Sequence, residues 1–387
     1  METTESEEPG EGVEMVTDEE RRTSYLELFF DLVVVFAITQ VAALILSDTS
    51  AAGFARSTLV LGLVWWAWSG FAWMTNAIDI DDRVTKLSML LAMAATFMLA
   101  FAIPGAYAGD GAWLGSAFLA IGVLNVWLYL RGSRHDRELQ RSVARLAPFF
   151  LGGPVLVFGG GLVDGHARDV LWVVAILVNL AGALDAGGRV WRVSASHFAE
   201  RHALFVIIAL GESIVAIGAG AIDGERRLAL AVAMLVAFAG TAGLWWAYFG
   251  FVAGAVERAL HRHDDPRTRG LLARNVFTFA HFPIILGIVF FAVAAKKVVA
   301  HPDEPLSDAG RLALGVGLAL MLGGLTLGRW FVVRTIAAKR LLAGALVLAA
   351  AWFLDDLDAT VVLAIAVAIL MLEIAWEHWR YAAVAGG

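Results

Sequence analysis

Apolar runs long enough to cross a bilayer, broken by short polar loops, recur along nearly the whole chain. A helix needs ~20 mostly apolar residues to cross ~30 Å of hydrocarbon. Twelve stretches have that character: 25–47, 57–79, 86–107, 112–131, 145–163, 169–187, 203–222, 228–254, 272–295, 311–330, 334–354 and 359–380. The pattern predicts an all-α integral membrane protein of about twelve transmembrane helices. The fifth stretch carries Pro148 and Pro154 together with Gly152, Gly153, Gly159, Gly160 and Gly161. It is therefore expected to be bent or broken, even re-entrant, which membranes tolerate only where the backbone is buried in protein or lines water.

Composition agrees with that pattern. Of 387 residues, 59% are hydrophobic and 17% charged, and the mean hydropathy is +0.73. A soluble domain has roughly 45–50% apolar and about 25% charged residues. Little is left for a soluble body. Residues 1–22 are an exception, an acid-crowded segment expected to form a disordered cytoplasmic tail. It lacks the basic start and early apolar run of a signal peptide. The chain has no cysteine, which excludes disulfides, Fe–S clusters and thiol catalysis and leaves the compartment unread from redox chemistry. The net charge of −7 gives no reason to expect nucleic acid.

Placing the N-terminus in the cytoplasm puts 22 of the 29 Lys and Arg on the inner side and 7 on the outer. By the positive-inside rule this orientation is favoured, with both termini in the cytoplasm and the protein in the plasma membrane. The halves also resemble each other. "VWWAWSGF" at Val64–Phe71 matches "LWWAYFGF" at Leu244–Phe251, and "DDRVTK" at Asp81–Lys86 matches the segment at 264–269. Trp191–Arg192 matches Trp379–Arg380, and Asp185 matches Glu373. Two parallel six-helix repeats, 23–196 and 197–387, are expected, related by an axis along the membrane normal as in transporters with parallel repeats.

The polar residues inside the apolar runs are the candidate chemistry. Glu27 and Asp31 share one face of the first helix. Glu27 suits a headgroup position at the positive end of the helix dipole. Asp31 lies ~6 Å further along the axis. A lone acid inside the bilayer costs ~2.5–3.5 kcal/mol on insertion scales and wants a partner, either a packing ion pair or a place on a proton or substrate path. Glu212, near the middle of the seventh helix, aligns with Asp31 across the repeat, and Gly211 beside it suits close helix approach. Glu27, Asp31, Glu212, His281 and Glu373 are the candidates for a proton or substrate path, and Gln40, Trp65, Trp66, Trp245 and Trp246 are candidates for lining a cavity. His197, Glu200, Arg201 and His202 read as a cluster at the inner interface. Their HxxExH spacing does not put two imidazoles one turn apart, so no metal is expected. No nucleotide loop, dinucleotide fingerprint or nucleophile elbow occurs, and no cofactor is expected.

Two stretches carry a family resemblance. "ELFFDLVVVFAITQ" (Glu27–Gln40) and "HFAERHALFVIIALGESIVAIG" (His197–Gly218) closely resemble the hallmark segments of the bacterial low temperature requirement protein A (LtrA) family. The similarity covers roughly Thr23 to Arg380. It implies a multi-pass membrane protein linked by name to growth in the cold, and it brings no settled activity, substrate or catalytic residue. Major facilitator transporters share a six-plus-six plan, but the glycine-rich loop after their second helix has no counterpart in "NAIDIDDRVTK".

Three readings follow. The leading one is secondary transport of a small molecule or ion, with proton coupling through Asp31 and Glu212. A polytopic enzyme or lipid-modifying protein would use Glu27, Asp31 and His202 near the inner leaflet. A non-catalytic membrane component of cold adaptation is the third. The lipid bilayer is the one partner common to all; the oligomeric state is not legible. The base distribution makes a direct prediction. Reporter fusions in the loops around Arg137 and His263 should behave as cytoplasmic, and an external signal at either would overturn the orientation.

Overall fold

The computed structural model describes residues 23–186, 193–222, 224, 227–250, 253–263 and 265–385. The acidic tail, Trp191 and Arg192 lie outside them. The described helices are α1 (Tyr25–Ser47), α2 (Ala51–Ala77), α3 (Arg83–Ala102), α4 (Gly111–Gly132), α5 (Arg137–Gly161), α6 (His166–Ala186), α7 (Ala195–Ala221) and α8 (Leu228–Phe249). Then come the short α9 (Ala253–His261) and α10 (Pro266–Ala273), a π-helical stretch Arg274–Ala280, α11 (His281–Ala300), α12 (Asp308–Val333), α13 (Ala338–Phe353) and α14 (Ala359–Ala385). Such a fold suits lipid because each helix satisfies its own backbone polar groups.

Among the described residues, ten helices are long and apolar enough to cross a membrane. The continuous rod Pro266–Ala300 counts as one of them. Two of the twelve expected stretches form helices outside that set. α13 has only 16 residues. α2 has 27, but Arg56 and a run of tryptophans, glycines and serines dilute its apolar character.

The fifth stretch differs from expectation. α5 runs unbroken through Pro148 and Pro154 and is among the ten. Its glycines serve packing instead of a break. A Cβ at Gly153 would come within 2.3 Å of Asn179 Oδ1, one at Gly160 within 2.5 Å of Trp172, and one at Gly161 within 2.2 Å of Gly111 O. The close fit of α4 and α6 on either side holds the helix through its prolines.

Helix starts follow local chemistry. Ser24 and Glu27 form a reciprocal capping box on α1. Asp82 caps α3 by accepting from Val84 N and Thr85 N, and Asp265 caps α10 in the same way through Arg267 N and Thr268 N. Arg131 reaches Asp82 with two hydrogen bonds of 2.9 Å. That guanidinium, helped by Thr85, holds the Asp82 carboxyl well below the usual carboxylate range.

The packing order is similar at both ends of the chain. α1 packs on α2 and α3, α3 on α4, α4 on α5, α5 on α6, and α6 on α2. α7 packs on α8 and α11, α11 on α12, α12 on α13, α13 on α14, and α14 on α8. The two sets meet where α1 and α2 lie against α7 and α11. The rod containing α11 is the central one, with 83% of its apolar window buried.

Small residues let the rod and α12 touch backbone to backbone. A Cβ at Gly287 would lie 2.5 Å from Gly317 O and 2.7 Å from Met321 N. By contrast nothing lies within 4 Å of a Cβ at Gly211 or Gly218. Gly211 therefore does not mark the close approach expected of it. Gly287→Val should destabilise the purified protein by ~1–3 kcal/mol, because overpacking must push two backbones apart. Gly218→Ala should leave the thermal midpoint unchanged or raise it, since alanine favours helix. Equal midpoints for Gly287→Val and wild type would refute the contact.

Candidate functional site

The acids of α1 meet a base from α7. Arg201 is fully buried and donates from one terminal nitrogen to Glu27 Oε1 at 2.8 Å and to Thr75 Oγ1 of α2 at 3.1 Å. Its other terminal nitrogen donates to Asp31 Oδ1 at 2.6 Å. Asp31 Oδ1 also accepts from Trp68 Nε1 at 2.7 Å. One guanidinium thus bridges two carboxylates a turn apart on α1 and ties both to α2. Asp31 Oδ2 and Arg201 Nε, both buried, have no hydrogen-bond partner among the described residues.

His197 completes the arrangement. Asn76 accepts from Ser194 N at 3.0 Å and donates from Nδ2 to Ser194 O at 3.2 Å. Those two bonds fix its amide orientation, so the same Nδ2 donates to His197 Nδ1 at 3.0 Å. His197 Nδ1 is therefore the acceptor and Nε2 carries the proton, donated to Glu27. With His197 neutral and both carboxylates ionised, the cluster would hold one more negative than positive charge, and Asp31 carries the oxygen with no partner.

A second buried pair of groups lies beside it. His202 donates from Nδ1 to Phe198 O at 2.8 Å, and its Nε2 has no partner among the described residues. Trp68, Phe198 and Phe277 surround it, and the His281 ring centroid is 5.3 Å away. His281 follows the π-helical stretch. The wider turn leaves Val276 O accepting from both His281 N and His281 Nδ1, while Tyr248 donates to Nε2 at 2.8 Å. Trp65 Nε1 reaches Thr278 O and Trp73 Nε1 reaches Thr278 Oγ1, each at 3.0 Å. The π-helix is thus the dock for two indoles of α2.

The remaining candidates fall elsewhere. Glu212 accepts from Thr39 Oγ1 of α1 at 2.5 Å, so it lies on the same α1–α7 seam as Asp31 but outside the Arg201 cluster. Glu200 is at the surface, where it accepts from Thr23 N and Oγ1. His197, Arg201 and His202 are buried side chains, not a solvated interfacial cluster, because each faces another helix. Trp245 and Trp246 are 47% and 50% exposed on α8 and line none of the cavities described here, unlike Trp65 and Trp66. Gln40 is half-buried and lines none of them either. Glu373 is buried near Arg340, whose Nε is 3.8 Å away, while the Arg340 guanidinium bonds Glu377 at 2.5 Å. This is a second arginine between two acids one turn apart.

Sequence reasoning missed the pairing of Arg201 with α1, the roles of Trp68, Thr75 and Asn76, and the Arg340–Glu377 pair. One signal was available: a base inside a long apolar helix needs an acid from another helix, and Glu27 with Asp31 were the acids without partners.

Two cavities follow one face of α2. The larger, about 740 Å³, is apolar; α2 lines it from Ala52 to Trp66 and α6 from His166 to Leu180. Arg56 and Asp169 pair at its mouth at 3.0 Å. The smaller, about 70 Å³, continues along α2 from Trp66 to Trp73 and reaches Ala186 and Arg274. Trp66 and Thr278 belong to both. From Ala52 to Trp73 the lined face is ~32 Å long at 1.5 Å per residue, about the thickness of the hydrocarbon.

Comparison with known proteins matches this chain to a family. The family model described as bacterial low temperature requirement A protein (LtrA) covers residues 22–375. An uncharacterized protein, RA0937, from Rhizobium meliloti (strain 1021), is 30% identical over 316 residues, which is 79% of this chain and 76% of that one.

The cluster predicts an asymmetric mutational pattern. Arg201→Met leaves two buried carboxylates without their base and should cost ~3–5 kcal/mol. Adding Glu27→Gln and Asp31→Asn to it should recover most of that loss in thermal unfolding. A triple variant no more stable than Arg201→Met alone would contradict a charge-balance role for Arg201.

Proposed function

The chain belongs to the bacterial low temperature requirement A family, and we propose that it is a secondary transporter of a small solute. In this reading twelve helices cross the plasma membrane as two parallel six-helix repeats, with both termini in the cytoplasm. The matching packing order of the two halves and the equivalent aspartate caps of α3 and α10 support the duplication.

The cavity-lined face of α2 is the observation that carries the transport reading, because a path for a solute must extend through the membrane. The buried cluster supplies a means of coupling. Protonating Asp31 would weaken its bonds to Arg201 and Trp68, and Trp68 sits on the helix that lines the cavities. Glu212 on the same seam is a second carboxylate placed between α1 and α7. The enzyme reading has less support, since Glu27, Asp31 and His202 are enclosed by packed side chains and line neither cavity on α2.

The test is uptake into vesicles reconstituted with purified protein, using labelled small anions, cations and neutral solutes, with and without a pH gradient. One solute class should accumulate and respond to the gradient. Asp31→Asn, inserted and folded, should abolish the gradient response or reduce it by at least about tenfold, the loss expected when an essential proton carrier is removed. Unchanged gradient dependence in that variant would remove proton coupling through Asp31. No uptake of any class by folded protein would overturn the transport reading.

A further inference from the structure

We infer that the small cavity between α2, α4, α6 and the π-helical stretch is a binding site for an amphiphilic monocarboxylate, with the adjoining apolar cleft receiving its tail. The inference rests on the transport reading for its purpose, but not for its geometry.

The small cavity is polar in a selective way. Of its described lining residues only Arg274 is charged. The Arg274 guanidinium bonds neutral groups, the carbonyls of Ala183 and Leu184 at 3.2 Å and Asn275 Oδ1 at 2.7 and 3.1 Å. It has no carboxylate partner among the described residues. Among the described lining residues no acid balances its charge.

Asn125 is the second, independent observation. It lines the same cavity, is 8% exposed, and its Nδ2 hydrogen-bonds nothing among the described residues. A buried N–H left unmade costs free energy, so such a group points to an absent acceptor. Gly70 opposite it leaves the space open; a Cβ there would stand 3.5 Å from Asn125 Nδ2. An uncompensated guanidinium and an unsatisfied amide donor suit an anionic oxygen pair. One positive charge balances one negative charge, which favours a monoanion over a phosphate dianion. A volume of about 70 Å³ takes a carboxylate group, not a whole drug-sized molecule.

The tail follows from the neighbouring cleft. Beyond Trp66 and Thr278 the lining turns mainly apolar, with Leu59, Gly62, Ile176 and Phe282 facing about 740 Å³, until it reaches His166 and the Arg56–Asp169 pair at the far end. A headgroup held at Asn125 and Arg274 would lay an alkyl or aryl chain past Trp66 along α2. Trp66, shared by both spaces, is the residue the ligand must pass.

The experiment is equilibrium binding of radiolabelled octanoate to full-length protein in phosphatidylcholine nanodiscs. Saturable binding should be competed by unlabelled octanoate and not by octylamine of the same length. Asn125→Leu and Arg274→Gln should each weaken it by at least roughly tenfold, the size of one lost charge-assisted hydrogen bond. Arg274→Lys, which keeps the charge, should retain more binding than Arg274→Gln at matched thermal stability. Equal competition by octylamine, or wild-type binding in both Asn125→Leu and Arg274→Gln, would overturn the site. Loss of octanoate binding in phosphatidylglycerol nanodiscs would mean that an anionic lipid headgroup takes the site, against a free carboxylate. Saturable binding without vesicle uptake would keep the site and defeat transport; uptake of another solute without octanoate binding would do the reverse.

Discussion

A single buried guanidinium organises the junction of the two halves. Arg201 leaves α7 fully enclosed, and its two terminal nitrogens take the two acids of α1 and a hydroxyl of α2. A charge in that position is tolerable only if opposite charge and hydrogen bonds replace the water it has lost. The requirement is mutual, since Glu27 and Asp31 would be as costly without it. The consecutive helices α1 and α2 and the sequence-distant α7 are thereby held in one register, and the neutral His197–Asn76–Ser194 chain extends the same network into the segment that leads into α7.

The π-helical stretch is the other constraint on α2. A π turn leaves backbone carbonyls available beyond the ordinary ladder. Thr278 O takes Trp65, Thr278 Oγ1 takes Trp73, and Val276 O takes the His281 ring. Between these indoles Trp68 turns the other way, to Asp31. α2 is consequently pinned on one side by a charge and on the other by a distorted helix. Such distortions in helices are frequently found at functional sites. Here the distortion also sets Thr278, which faces both cavities.

Much of this was legible in the order of residues, but unevenly. The helical class and most of the long apolar helices follow from run length alone, because lipid leaves the backbone little choice. The acids of α1 were identifiable because charge in an apolar run is costly. Arg201 inside another apolar helix was the one signal for their partner, but it is 174 residues from Glu27 in sequence and only packing shows the pairing. Local composition misled at α5, where glycines that read as breaks are contact points for α4 and α6. It misled again at Trp245 and Trp246. Their motif matches that of Trp65 and Trp66, yet one pair meets the π-helix and the cavities while the other is half exposed. Similar letters do not fix similar neighbours, because the helix packed against each pair differs. Asn125 and Arg274 each sit inside an apolar stretch, but nothing in the sequence brings α4 against the start of the π-helical stretch, so the chamber they line was not legible.

The charge cluster and the cavities have no lining residue in common; what they share is α2. Trp68 and Thr75, two turns apart, face the acids and Arg201, while Trp66, Ser69 and Trp73 face the chamber. A change at Asp31 can therefore reach the chamber as a movement of that helix, or through the Trp68–His202–Phe277 ring contacts to the π-helical stretch, and a ligand in the chamber can reach Asp31 the same ways. Coupling of this kind is reciprocal: what binding does to the proton affinity of the cluster, the proton must do to binding. A rigid α2 would close the first of these routes. The helix is held by a few directional hydrogen bonds to Asp31, Arg201 and Thr278, each of which can exchange partners without unfolding a turn, and that is the type of attachment a two-position element requires.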